Sequence, residues 1–277
     1  MRPIHEINLH DYDGVLINTS GGKDSQTVLR QVVLLAQRQG YDLDLIEAVH
    51  ADLGKVEWEG VKELAREQAE HHGLRFTAVK RRTKDGDEST SLLDYVRDRR
   101  KWPSSTTRYC TSDFKRGPAL RALTALDRRI RPVWKAHIRL LNVFGFRAEE
   151  SPARAKKVVL ETNKRATTKS RHVDDWLPIH DWTDTDVWDD IKASGVRSHR
   201  AYTIGMPRLS CVFCIFAPKA ALVIAGKDKP ELLQEYVDLE AEIGHTFRTD
   251  LTLAEVQEAV NRGDEPDLVE LDAQWNM

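Results

Sequence analysis

Cysteine is scarce: three in 277 residues, too few for the paired disulfide framework that staples small secreted domains. Long apolar runs are missing as well. No stretch approaches the roughly 18 consecutive apolar residues that a membrane span needs, and Met1-Arg2-Pro3-Ile4-His5 is not followed by the apolar core of a signal peptide. A cytoplasmic protein without a membrane partner is the expectation. There is no internal repeat, which excludes a solenoid, and no G-x-x-x-x-G-K-[ST] stretch, which excludes a Walker A loop. Neither helix-turn-helix nor zinc-finger spacing occurs.

Net charge is also small, at -2, but it conceals a division along the chain. Lys80 to Lys135 carries 16 Lys and Arg against 7 Asp and Glu, and Arg154 to Arg171 carries 7 against 1. From Asp228 onward the balance is 3 against 14. A basic middle permits a polyanion-binding face, and a merely solvated surface is the other reading. With 40% hydrophobic and 31% charged residues, the chain is long enough to bury a sizeable core in one large domain with or without an appendage.

The apolar period alternates. Val15 to Thr19 is a short apolar run ending in glycine punctuation and reads as a buried strand. Ser25 to Gln39 places Val28, Leu29, Val32, Leu35 and Ala36 at helical spacing and stops at Gly40. Leu43 to His50 reads as a second strand, Val56 to His72 as a helix with Trp58, Val61, Leu64 and Ala65 on one face, and Arg75 to Val79 as a third strand. Such alternation predicts an α/β fold of βαβ units: a parallel sheet flanked by helices, with ligands at the carboxyl ends of the strands.

Farther along, Asp85-Gly86-Asp87 reads as a turn, Ser91 to Arg100 as a helix and Trp102 to Ser105 as loop. Pro118 suits the first position of a helix reaching about Arg129, and Leu140 to Phe146 reads as a strand opening on Gly145. Ser151 to His172 is polar and basic with little apolar period, so a mobile loop is expected. Thr183 and Asp186 form a capping-box pattern for a helix ending at Gly195. The acidic tail from Lys229 is helical in pattern. The expected division is a domain over residues 1–217, including the basic loop at 151–172 and the cysteines, and an acidic helical extension over 218–277.

Chemistry concentrates at Ser20-Gly21-Gly22-Lys23-Asp24-Ser25, between the first strand and the first helix. A Gly-Gly pair lets the backbone turn tightly, so that N–H groups point inward at a helix mouth where the macrodipole favours anions. Hydroxyls of Ser20 and Ser25 add donors. Asp24 inside an anion cradle is repulsive unless a cation intervenes, which points to Mg²⁺ bridging carboxylate and phosphate. After a strand end, Arg147 and Arg154 supply two forked donors and Glu150 a carboxylate to orient them, which suits an oxyanion or, more plainly, a surface ion-pair cluster. Lys115 and Arg116 precede the Pro-led helix and would meet a substrate or an acidic neighbour. Cys211-Val212-Phe213-Cys214, with Cys110 at a distance, reads as metal or redox chemistry.

The loop resembles that of the PP-loop ATP pyrophosphatases. Further segments are similar to the PAPS-reductase-like branch of that family: "HADLG" (His50 to Gly54), "RYCTSDFKRGP" (Arg108 to Pro118), "GFRAEESPAR" (Gly145 to Arg154), "LPIHDWTDTDVW" (Leu177 to Trp188) and "YTIGMPRLSCVFC" (Tyr202 to Cys214). They run in order from about Val15 to Phe216. The resemblance implies a Rossmann-like PP-loop fold that cleaves ATP between the α and β phosphates. It implies catalytic roles for Lys23, Asp24, Lys115, Arg147 and Arg154. Nucleotide contacts are implied for Ser20, Gly21, Gly22, Lys23, Asp24, Ser25, Asp52, Gly145 and Arg147, with Mg²⁺ at Asp24.

Within that branch the pattern best matches the ATP pyrophosphatase component of DNA phosphorothioation systems, the DndC/SspD type. That resemblance implies ATP and Mg²⁺ as cofactors, a DNA phosphate as acceptor, a cysteine desulfurase as sulfur donor and other phosphorothioation subunits as partners. The chain itself shows no pyridoxal-type desulfurase signature. Cys110, Cys211 and Cys214 would hold a [4Fe-4S] cluster with one open iron or a zinc ion, or remain a disulfide or free thiols. Reductases of adenylyl sulfate use a Cys-Cys pair, whose first place is Tyr109 here, and a later nucleophilic cysteine, whereas none follows Cys214. Thiolation of tRNA, sulfonucleotide reduction and a non-catalytic ATP-binding subunit are the rival expectations.

Overall fold

The computed structural model describes residues 2–83, 91–267, 269 and 271, so the turn expected at Asp85-Gly86-Asp87 lies outside the described residues. The chain begins with β1 (Gly14–Thr19), α1 (Lys23–Gln39), β2 (Ile46–Ala51), α2 (Val61–His71) and β3 (Arg75–Val79). Next come α3 (Leu92–Arg99), the single turn α4 (Tyr109–Thr111), a wider π-type turn at Ser112–Arg116, and α5 (Gly117–Ile130). These are followed by β4 (Ile138–Val143), the short α6 (Pro152–Ala155), β5 (Leu160–Thr162), β6 (Arg171–Trp176) and α7 (Asp184–Ser194). Helices α8 (Lys219–Asp228), α9 (Pro230–Ile243) and α10 (Leu253–Arg262) complete the order.

Two compact units share these elements. The first takes the chain up to Asp52, Gly60–Val79 and Arg116–His199; the second takes Leu53–Glu59, Lys80–Lys115 and the chain from Arg200 onward. The division expected at residue 217 therefore does not follow the compact units, because residues 80–115 and 200–217 group with the C-terminal helices.

The first unit is built on a six-stranded sheet of order β3-β2-β1-β4-β6-β5. Every neighbouring pair is parallel except β5 with β6. Ile17 of β1 lies opposite Ala48 of β2 on one side and Val143 of β4 on the other. Residues of β1 are apolar in succession because both faces are covered. Val15 and Ile17, with Leu141 and Val143, pack with Val28, Leu29 and Val32 of α1 and Val187 and Ile191 of α7. Leu16, Val49, Leu140 and Val173 pack with Ala122, Leu123 and Leu126 of α5. Each fully buried Val, Leu or Ile contributes about 1.5–3 kcal/mol. Since β2 and β4 flank β1 on opposite sides, the strand order reverses between β1 and β4, which in open α/β sheets marks the ligand crevice at the carboxyl ends.

Several expected boundaries shift. A 3₁₀ turn at Leu43–Leu45 precedes β2, and α2 begins only at Val61, after Gly60 in the left-handed region. β4 ends at Val143, so Gly145 lies beyond the strand. Residues 151–172 are not one long loop: they form α6, β5 and the start of β6. All three residues of β5 are exposed, so an edge strand of this kind carries no apolar period to read.

In the second unit, α3 opens on a capping box in which Ser91 and Asp94 bond each other's backbone N–H. Its core is aromatic. Trp102 stacks on Tyr236 of α9 at 5.4 Å and meets Phe247 edge-on at 5.3 Å, while Phe213 lies 5.1 Å from Tyr236. Among the described residues no helix is long and apolar enough to cross a membrane.

Candidate active site

The Ser20–Ser25 loop leaves the carboxyl end of β1 and enters α1. Gly21 has φ +71°, and a Cβ there would lie 3.0 Å from the Val61 carbonyl oxygen, so only glycine fits without displacement. The loop is braced internally. Ser25 Oγ donates to the Gly22 carbonyl at 2.9 Å and accepts from Ser20 N–H at 3.1 Å. Ser25 thus helps to shape the turn from which the loop N–H groups point. Gly22 occupies the N-cap with no side-chain cap, which leaves the first-turn N–H groups of α1 for an incoming anion.

Lys23 and Arg147 converge beside this loop, both almost wholly buried. Lys23 Nζ lies 3.2 Å from Asp24 Oδ2 and 2.8 Å from Asp184 Oδ1. Arg147 donates from Nε to Asp24 Oδ1 at 2.6 Å, from NH2 to Asp184 Oδ1 at 2.9 Å and from NH1 to the Trp182 carbonyl at 3.2 Å, and it pairs with Glu149. Burial opposes the Arg147 charge, but Asp24, Glu149 and Glu150 outweigh it and raise the pKa. Gly145 makes this approach possible: a Cβ there would stand 3.0 Å from the Asp24 carbonyl carbon and oxygen and 3.2 Å from Ser25 N.

Arg154 pairs with Glu150 and lies over the Phe146 ring at 4.5 Å, while Glu150 also accepts the Arg147 backbone N–H at 2.8 Å. Asp52, at the end of β2, meets Lys62 at 3.4 Å and lifts the Lys62 pKa.

The repulsion expected at Asp24 is thus answered first by protein cations. Yet the named ion pairs join three cations, Lys23, Arg147 and Arg154, to four carboxylates, Asp24, Glu149, Glu150 and Asp184. A polyphosphate entering beside these carboxylates needs further positive charge. Mg²⁺ fits that need, since it binds through one or two carboxylates plus phosphate oxygens, and Asp24 keeps 20% side-chain exposure. Asp184 was not singled out from the sequence because its neighbours Thr183 and Asp186 read as a helix cap, which they also form.

Lys115 and the cysteines belong to the second unit. Lys115 is exposed and Cys110, Cys211 and Cys214 are partly exposed, but protein mass around Cys211 still pushes its thiol up to about 12 against the pull of Lys115. Burial likewise raises the Cys214 thiol. The three thiols are thus partly reachable from solvent and close enough to influence one another. Attraction to Cys211 in turn raises the Lys115 pKa, with Glu57, Cys110 and Cys214 adding to it. All three cysteines are free thiols. Thiolates are the right donors for iron–sulfur or zinc, but among the described residues no group of three or more His, Cys, Asp or Glu side chains is arranged to hold a metal ion.

Residues 14–217 match the phosphoadenosine phosphosulfate reductase domain. The chain belongs to this family. The match takes in the loop, Arg147, Lys115 and all three cysteines. An uncharacterized 37.8 kDa protein in the gpa 5' region of Escherichia phage 186 is 28% identical over 149 residues. That stretch is 54% of this chain and 42% of the phage protein, less than half of the relative's length. Solved structures with a similar course include phosphoadenylyl-sulfate reductase from Candida auris in a phosphate complex, at 14% identity and TM-score 0.45 over 72% of this chain and 81% of that one. Candida glabrata FMN adenylyltransferase with FAD and pyrophosphate aligns at 12% identity and TM-score 0.46 over 72% of this chain and 55% of that one. The NH3-dependent NAD synthetase of Campylobacter jejuni aligns at 14% and 0.39 over 93% and 90%.

Proposed function

We propose that this chain is an ATP pyrophosphatase, converting ATP to AMP and pyrophosphate, that activates a DNA backbone phosphate by adenylylation for sulfur insertion. The observation that carries the ATP reading is the uncapped glycine loop at the carboxyl end of β1, with Lys23 and Arg147 converging beside it at the sheet's switch point. A non-bridging oxygen of the DNA phosphodiester attacks the α-phosphorus of ATP, and pyrophosphate leaves. Sulfur, delivered as hydrosulfide, then attacks the DNA phosphorus, so that the P–S bond forms as the P–O bond to AMP breaks, AMP being a far better leaving group than oxide; delivery as a persulfide needs in addition a second thiol to cleave the S–S bond. Loop N–H groups, Lys23 and Arg147 neutralise the charge that builds on the departing pyrophosphate, and positioning supplies the rest. Mg²⁺ at Asp24 supplies charge neutralisation when bound.

The DNA and sulfur half of this reading rests on the sequence resemblance to phosphorothioation enzymes. A cysteine desulfurase and other phosphorothioation subunits are the proposed partners, and the basic segment 80–135 the backbone contact, so DNA affinity falls steeply with salt. Cys110, Cys211 and Cys214 are the proposed sulfur-handling group. Anaerobic purification tests their state: iron with broad absorbance near about 400 nm supports a cluster, bound zinc supports a structural site, and metal-free thiols leave the ATP reading intact.

The family match favours a second reading, sulfonucleotide reduction. One experiment separates them: α-labelled ATP with Mg²⁺, incubated with duplex DNA, tRNA or neither, beside an assay for adenylyl sulfate reduction. AMP released in response to DNA supports the proposal. ADP as product, or sulfite from adenylyl sulfate, overturns it.

A further inference from the structure

Four side chains form a hydrogen-bonded row across the sheet of the first unit, on the face that α5 covers. Asn18 lies on β1, Asn142 on β4 and Asp175 on β6, each one step beyond the core residues Leu16, Leu140 and Val173 of that face. Asn163 joins from the end of β5. Asn142 Nδ2 donates to Asp175 Oδ1 at 2.6 Å, and Asn163 Nδ2 donates to Asp175 Oδ1 and Oδ2 at 3.0 and 3.1 Å. Asn18 Nδ2 donates to Asn142 Oδ1 at 2.8 Å and to the Val143 carbonyl at 3.1 Å.

The row has one direction. An ionised carboxylate only accepts, so Asp175 turns the Asn142 NH₂ toward itself. Asn142 must then show its oxygen to Asn18, and Asn18 must answer with its own NH₂. Both hydrogens of that NH₂ are spent. What remains is Asn18 Oδ1, which accepts no hydrogen bond among the described residues. Asn18 is also the one residue of β1 that is not buried. It stands two residues before Ser20, between β1 and β4, where the strand order reverses.

We infer that Asn18 Oδ1 is a specificity-determining acceptor for a hydrogen-bond donor on the nucleoside part of the bound nucleotide, with Asn142 and Asp175 as positioning residues that fix its orientation. The inference rests on the reading of the loop as an ATP site. Loop N–H groups are donors and select anions, whereas an outward carbonyl oxygen repels phosphate and selects a neutral or cationic donor. A nucleoside attached to phosphates in the loop carries such donors as ribose hydroxyls and the 6-amino group of adenine. A fixed acceptor also discriminates against an analogue lacking the donor, because the oxygen then loses its water without gaining a partner.

Calorimetric titration of the full chain with Mg²⁺ tests this, using ATP, 2′-deoxy-ATP, 3′-deoxy-ATP, purine riboside triphosphate and inorganic tripolyphosphate. The wild type is expected to bind one of the three analogues about tenfold more weakly than ATP, and which one it is separates hydroxyl from amine. In Asn18→Ala the affinity for ATP falls to that of the same analogue, while tripolyphosphate binds as before. Asp175→Ala, remote from the ligand, narrows the same ratio with tripolyphosphate again unchanged, which a purely structural role would not do. If the wild type binds all three analogues as tightly as ATP, or Asn18→Ala keeps the wild-type ratios, the inference is wrong and the ATP reading stands. If the wild type binds neither ATP nor tripolyphosphate, the ATP reading fails and the inference falls with it.

Discussion

Gly145 shows how much of this site hangs on single atoms. Its missing Cβ is the space in which the Asp24–Ser25 backbone lies. Gly145→Ala would push on backbone, which does not yield as a flexible side chain does. The expected cost is about 1–3 kcal/mol of stability, and tripolyphosphate binding should fall more than tenfold, a combination that thermal melts and calorimetry read together. His72 gives a prediction in pH. Burial, aided by His71 and Arg30, lowers its pKa from 6.5 to about 4. Between those values the unfolded chain takes up a proton that the folded chain refuses, so stability is lost as the pH falls from about 6.5 to about 4. With its partial exposure allowed for, His72→Gln should recover about 1–2 kcal/mol of that loss, measured by urea unfolding at pH 7 and pH 4.5; equal losses in both proteins would refute it. At this scale the sequence was partly legible. Lys23, Asp24 and Arg147 are brought together in space, but Asp184 meets Lys23, and Asn18 meets Asn142, across more than a hundred residues, which no local pattern reports.

Among the elements, the strand with two covered faces and the helix with a full amphipathic stripe were readable: β1 and α1 fall close to where the apolar period put them. The misreadings share one cause. Gly60 halts a pattern that continues through Trp58, and β5 is an exposed edge strand whose pairing partner, not its composition, makes it a strand. Capping boxes were legible because both partners sit within one turn. Thr183→Ala should cost about 1 kcal/mol by removing the bond to Asp186 N–H, seen as a lowered melting temperature. A stronger effect is expected at α9. Tyr236 is 2% exposed and joins Trp102, Phe213 and Phe247, so Tyr236→Ala should cost about 3–5 kcal/mol and speed alkylation of Cys211 and Cys214, which lie near enough to add to the rise that burial gives the Tyr236 hydroxyl. Unchanged thiol reactivity would show that α9 does not shelter these thiols.

For the whole molecule, the family match ends at residue 217, but the second unit needs the chain beyond it. A chain cut after 217 loses Tyr236 and Phe247 from the aromatic core around Trp102. It should keep tripolyphosphate binding at the loop while losing the protection of its three thiols, as labelling with a thiol reagent would reveal; thiol protection equal to that of the full chain would contradict the division. Composition gave no hint of this, since discontinuous assembly leaves no local mark. It does leave one in time. The second unit draws on three stretches separated by the sheet's own segments, so on the ribosome residues 53–59 and 80–115 wait, without their partners, until the segment from 200 onward has emerged. Trp102 meets Tyr236 and Phe247, and Cys110 meets the influence of Cys211 and Cys214, only once those later residues have been made, so the three cysteines come together after the residues around the β1 loop have been synthesised.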